Sequence, residues 1–155
     1  MYEFGYNENQ TLAPGAAAIL EDLWIPGCRG PRNVIHENLS PVINLRGTMA
    51  NPCQQFAEYV VKFSGNIAVT TGGAAAEIQL AFAQQGQILP LTIAAATPAA
   101  AEEYWHVSGE KTFHIPAGCC PSITVVNASV SDTPTTTPAP TIDIRNLNVT
   151  VQRTA

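Results

Sequence analysis

The sequence predicts an all-β domain, a sandwich or jelly roll of eight to ten short antiparallel strands, on three observations. Apolar and polar residues alternate along most stretches able to form regular structure. Gly, Pro, Asn and Ser punctuate the chain between those stretches, and no segment carries a convincing long-helix pattern. At 155 residues one domain is the default, and its core needs no staples.

From the N-terminus, residues 1–12 read as an extended docking arm and residues 13–155 as the jelly-roll domain. In the arm, Tyr2, Phe4 and Tyr6 alternate onto one side, a pattern suited to adding to a neighbour's sheet or plugging an apolar groove. "AAAILEDLWI", "NVIHE" and "VINLRGTM" are short strand candidates. The clearest strand is "EYVVKFSGNIAVTT", with Tyr59, Val61, Phe63, Ile67 and Val69 on one parity and Lys62, Ser64, Asn66 and Thr70 on the other. Gly65 falls on the apolar parity, where a missing side chain marks a bulge, a bend or a close neighbouring backbone. "EIQLAFAQQG" repeats the alternation with Ile78, Leu80 and Phe82 inward, and "TTGG" reads as the turn of a long hairpin joining the two. Tyr59, Phe63, Ile78, Leu80 and Phe82 are therefore the candidate residues of the core or of a subunit axis.

"ILPLTIAA" is a further strand. "IAAATPAAAEEYW" either opens a short helix at Pro98 or is a loop running into a strand at Tyr104. "EYWHV" and "KTFHIPA" flank a turn-like "SGEK" and read as a hairpin, and "SITVVNA" follows. The Thr-Pro tract 129–141 has almost nothing apolar to bury and reads as an exposed loop. In the closing "TIDIRNLNVTVQR", Ile142 and Ile144 share one parity while Leu147, Val149 and Val151 take the other, so a bulge is predicted near Arg145 and Asn146.

Only 12% of residues are charged, against about 25% in an average domain, while 46% are apolar. That balance does not suit disorder. It suits a surface buried against partners, since interfaces are depleted in Lys and Glu, or a domain with an uncharged polar surface. Seven Lys plus Arg against twelve Asp plus Glu, without a basic cluster, exclude a nucleic-acid partner. No apolar run reaches the length of a membrane span. "MYEFGYNENQ" lacks the charged start and apolar run of a signal peptide, so synthesis in a cytoplasm with reduced thiols is expected.

Four cysteines are present, and Cys119 and Cys120 are adjacent. Vicinal cysteines suit neither a zinc knuckle nor an easy mutual disulfide. If "CCPSITVV" opens a strand, one thiol faces the core, and the favoured reading is scaffold: small buried hydrophobes. A disulfide involving Cys28 or Cys53 stays open as an alternative. His106 and His114 would meet across the "SGEK" hairpin and could begin a metal site, but no third ligand stands in register. Glu102 and Glu103, as strand neighbours, cannot face one cleft. The sequence holds no nucleophile elbow, P-loop, dinucleotide fingerprint or calcium loop. No catalytic residue, metal or cofactor is expected, and the protein reads as a non-enzyme. The Asn-x-Ser/Thr triplets at Asn38, Asn127 and Asn148 matter only in a secretory pathway.

The stretches "FSGNIAVTTGG", "ATPAAAEEYWHV", "IPAGCCPSITVVN" and "NLNVTVQR", within a span from about Gly15 to Arg153, resemble short proteins encoded by phages and prophages of Gram-positive gut bacteria. Such proteins are similar to the trimeric jelly-roll domains of the C1q and tumour-necrosis-factor type. The resemblance implies a homotrimer on a virion, assembled in the host cytoplasm, that decorates a capsid or forms part of a head fibre. Its partners would be the major capsid protein or another virion protein, with no cofactor. The chain lacks a Gly-x-y stalk, which suits a trimer seated directly on the particle. The alternative is a receptor-binding module that recognises a cell-surface glycan, with Tyr104 and Trp105 as its contacts.

Overall fold

The computed structural model describes residues 1–26, 33–130 and 138–155. The first strands are β1 (Tyr2–Tyr6), β2 (Gln10–Leu12), β3 (Glu21–Trp24), β4 (Val34–His36), β5 (Ile43–Leu45) and β6 (Phe56–Val69). They are followed by β7 (Ile78–Gln84), β8 (Gln87–Ile88), β9 (Ala94–Ala96), β10 (Trp105–Pro116), β11 (Ser122–Asn127) and β12 (Ile142–Arg153). Two antiparallel sheets result. The front sheet runs β10-β6-β12-β1-β3, with β2 also on β12, and the back sheet runs β4-β5-β11-β7-β8, with β9 also on β7. This is the predicted jelly-roll sandwich.

The core forms where the alternating strands turn their apolar parity inward. Val61, Phe63, Ile67 and Val69 of β6 meet Ile78, Leu80 and Phe82 of β7 across the sandwich, and all are essentially inaccessible. The Phe63 and Phe82 rings meet edge to face, centroids 4.9 Å apart. The two sheets are also tied by polar groups. His36 of β4 is buried, its Nδ1 lies 2.6 Å from Oδ1 of Asp22 on β3, and its Nε2 donates to the Ser40 carbonyl at 2.8 Å. Asn127, fully buried, donates to the Leu12 and Pro140 carbonyls, both at 3.0 Å.

The predicted bulge is present. The register of β12 against β6 shifts between Arg145 and Asn148, and Asn146 takes a left-handed φ of 52°. Gly65 faces the bulge: a methyl added there would lie 3.5 Å from the Leu147 side chain.

Four expectations are corrected. First, β6 and β7 are not a hairpin. Both edges of β6 are taken by β10 and β12, so the 70–77 connection carries the chain from the front sheet to the back. Second, "SGEK" is not a turn but the middle of β10, which pairs with β6 without a break from Trp105 to Pro116. Gly109 is there for close packing, since a Cβ would sit 2.6 Å from the Phe63 ring. Third, residues 1–12 are no free arm. β1 is hydrogen-bonded on both sides, to β12 and β3, and cannot add to a neighbour's sheet. Phe4 is 1% exposed in the core, stacked beside Tyr2. Fourth, β11 starts at Ser122, so the cysteine pair precedes the strand.

The "TPAAAEE" segment is loop; among the described residues the only helical turn is a 3-10 turn, Pro90–Thr92. Most of the Thr-Pro loop, and Cys28, lie outside the described residues.

Candidate functional site

The outer face of the front sheet is built from rows of register partners. One row runs Glu3, Thr150, Lys62, Glu110, and the next Gly5, Asn148, Ser64, Ser108. The parity opposite the core residues must face outward, which is why the sequence places hydroxyls and amides there. Between these rows lies a groove of about 500 Å³ lined by Lys62, Ser64, Ser108, Glu110, Asn148 and Thr150. The two charged residues of its lining pair with each other, and an amide reaches the Glu3 carboxylate beside it. Lys62 Nζ is 2.9 Å from Glu110 Oε2, and Asn148 Nδ2 donates to Glu3 Oε1 at 2.7 Å.

Beyond the groove a third row runs Arg145, Asn66, His106. Arg145, the last residue of β12 in register with β6 before the bulge, sets its guanidinium carbon 4.2 Å from the centroid of the Tyr104 ring. Burial is the main reason the Tyr104 phenol is pushed above its ordinary value, and Arg145 opposes the shift.

Tyr104 and Trp105 do not form one aromatic platform. Tyr104 lies under Arg145 on the outer side, whereas Trp105 shares its register with the buried Ile67 and Ile144, so it points to the core-side rim. There its Nε1 donates to Glu103 Oε1 at 2.9 Å and 46% of the residue is exposed.

A second surface feature lies on the edge of the back sheet. Ile88, Leu91 and Ile93 are exposed, Leu91 at 95%. The Leu91 backbone is fixed by its neighbours: Pro90 starts the 3-10 turn, and the buried Thr92 hydroxyl donates to the Leu89 carbonyl at 2.8 Å and accepts from the Phe82 N–H at 3.0 Å. Ile88 also borders a groove on the outer back sheet, shared with Ala17, Val42, Ala83 and Val126. Sequence reasoning missed this ridge, although a Leu between Pro and Thr in a short irregular segment is its visible signal.

Tyr59, Phe63, Ile78, Leu80 and Phe82 all lie inside the sandwich, between the sheets rather than on an outer surface. Tyr2 and Tyr6 are half-buried at the two ends of β1. His106 and His114 sit eight residues apart on one strand, roughly 27 Å from each other. His106 Nδ1 is 3.3 Å from Asn66 Oδ1, and His114 Nε2 is 3.1 Å from Glu58 Oε2.

Cys53, Cys119 and Cys120 are free and exposed, which corrects the buried-hydrophobe reading. The cause is the turn at Gly118, φ 78°, which lifts the pair out before β11 begins. That turn is clamped to Gly47, whose N–H donates to the Cys119 carbonyl at 2.8 Å. Among the described residues no three His, Cys, Asp or Glu side chains converge as a metal site, and no helix is long and apolar enough to cross a membrane.

The chain matches no protein-family model and no curated protein. Among solved structures it is similar to murine APRIL at pH 8.0, at 14% identity and a TM-score of 0.45, covering 92% of this chain and 95% of that one. It is also similar to the CBM22-1 xylan-binding domain of Paenibacillus barcinonensis Xyn10C, at 12% identity and 0.38, covering 99% and 94%. A third is the sugar-binding EclA C-terminal domain, at 14% identity and 0.34, covering 83% and 90%. No function is taken from these likenesses.

Proposed function

We propose that this chain is a non-enzymatic structural protein of a phage particle, a homotrimer on the virion surface whose copies meet along the Ile88, Leu91 and Ile93 ridge. The observation that carries the oligomer is Leu91. Leu91, 95% exposed, stands with the exposed Ile88 and Ile93, and clustered apolar side chains on a surface mark a site that a partner covers. The low charge content agrees with this, because surfaces buried between copies are depleted in Lys and Glu. The virion assignment is supported by the resemblance of "FSGNIAVTTGG" and "IPAGCCPSITVVN" to phage-encoded proteins.

Native mass spectrometry tests the oligomer. The wild-type chain should appear as trimers, and Leu91→Glu as monomers of unchanged secondary structure, since the side chain touches little of its own subunit. Wild-type monomers, or trimers that survive Leu91→Glu, would remove the ridge from the interface. The particle role is tested by proteomics of purified virions, where the chain should copurify at many copies per particle. Its absence would sink the assignment.

The open groove of the front sheet favours a second reading, recognition of a cell-surface glycan, because the hydroxyls of Ser64, Ser108 and Thr150, the Asn148 amide and the Lys62–Glu110 pair in its lining are groups that hydrogen-bond sugar hydroxyls.

A further inference from the structure

Arg145 is a cation that the described residues leave without a hydrogen bond or a carboxylate partner, although carboxylates are close. Asp143 shares its parity on β12 but accepts from Thr11 Oγ1 at 2.7 Å and from Thr70 Oγ1 at 3.3 Å. Glu102 accepts from Thr71 Oγ1 at 2.7 Å. The Arg145 guanidinium carbon instead lies 4.2 Å from the centroid of the Tyr104 ring, a cation–π contact that uses none of its N–H donors. Beside it, the Asn66 Oδ1 is engaged by His106 Nδ1, so the amide N–H₂ of Asn66 is left as a further donor, unused among the described residues. Arg145 holds this place through its register with Asn66, just ahead of the bulge at the left-handed Asn146.

We propose that Arg145 and Asn66, supported by Tyr104 and His106, bind the carboxylate of an acidic glycan whose neutral sugars lie along the adjoining groove of Ser64, Ser108, Asn148 and Thr150. A planar guanidinium with an adjacent amide donor reads a carboxylate by charge-assisted, bidentate hydrogen bonds. The surroundings select a sugar rather than a peptide. Arg145 and Asn66 sit on β12 and β6, interior strands of the sheet that offer no free backbone edge for strand addition. The groove beside them offers three hydroxyls, the Asn148 amide and one ion pair, groups that sugar hydroxyls can hydrogen-bond. The proposal rests on the glycan-binding reading of the front face and narrows it to acidic sugars.

The test is titration of the full-length protein with tetragalacturonate and, separately, with an uncharged tetrasaccharide, followed by NMR shifts of the Asn66 and Arg145 side chains. Tetragalacturonate should bind, Arg145→Gln should weaken it at least tenfold, and affinity should fall as salt is raised. Arg145→Lys, which keeps the charge but loses the fork, should recover only part of it. Equal binding of acidic and neutral sugars would overturn the acidic specificity while sparing the glycan reading. Binding of neither would overturn both. Dissociation of the oligomer on Arg145→Gln would reassign the residue to a contact between copies and overturn the proposal as well.

Discussion

Tyr59 shows how much one side chain on β6 is asked to do. Its ring is buried in the core, while its hydroxyl donates to the Arg46 carbonyl at 2.6 Å, closing the 46–48 segment onto the sheet. Arg153 joins the same junction, donating to Asn33 Oδ1, Thr48 Oγ1 and the Thr48 carbonyl. Burial pushes the phenol above its ordinary value of 10.0, and the Arg153 guanidinium pulls it back. A phenol whose folded value is raised contributes stability that is complete below the unfolded value and is lost as pH climbs through the folded one. Tyr59→Phe should therefore cost about 1 kcal/mol at pH 7, the worth of the hydrogen bond. Urea unfolding repeated above pH 10 should show a smaller gap between wild type and variant. A constant gap would mean that the phenol titrates alike in both states.

At the level of strands, glycines separate into those that fill a geometric need and those that do not. At Gly47 an added methyl would sit 1.9 Å from the Pro116 carbonyl oxygen, backbone that cannot step aside without breaking the clamp on the cysteine turn. At Gly65 the nearest atom is 3.5 Å away, an ordinary contact. Gly47→Ala should cost about 3 kcal/mol or more and Gly65→Ala within about 1 kcal/mol, as read by thermal unfolding. The same comparison explains what was legible beforehand. Alternation revealed β6, β7 and β12 and their inward residues, because one buried face imposes a period of two, and the phase slip at Arg145 and Asn146 revealed the bulge. "SGEK" misled because Gly109 has the composition of a turn but serves a close approach to Phe63, a requirement visible only across the sandwich. The partners of β6 and β7 were likewise hidden, since pairing is set by the whole sheet and not by adjacency. Of the candidate site, Lys62, Ser64 and Asn66 were legible as an outward parity. Their meeting with Arg145, Tyr104 and His106 depends on register between strands far apart in sequence.

For the whole molecule, the decisive pairing joins the two ends of the chain. Tyr2 faces Val151 and Tyr6 faces Leu147 along β1 and β12, so the N-terminal residues close the centre of the front sheet rather than trail from it. Phe4 puts a ring into the core beside His36, centroids 4.7 Å apart, at the point where Asp22 and His36 tie the sheets together. Removing residues 1–6 would strip β12 of one neighbour, detach β3 and open the core at Phe4. The exposed edge would be long and flanked by apolar residues, the kind that pairs with other chains. A chain lacking these residues should therefore unfold at markedly lower temperature and aggregate. Phe4→Ala alone should cost about 3–5 kcal/mol, the usual range for deleting a buried phenylalanine ring. The outcome discriminates sharply between the two views of the N-terminus. A docking arm could be cut away with the melting temperature intact and only particle attachment lost. A central strand cannot, and a truncated chain that melted like the full-length protein would show that β12 needs no partner on that side.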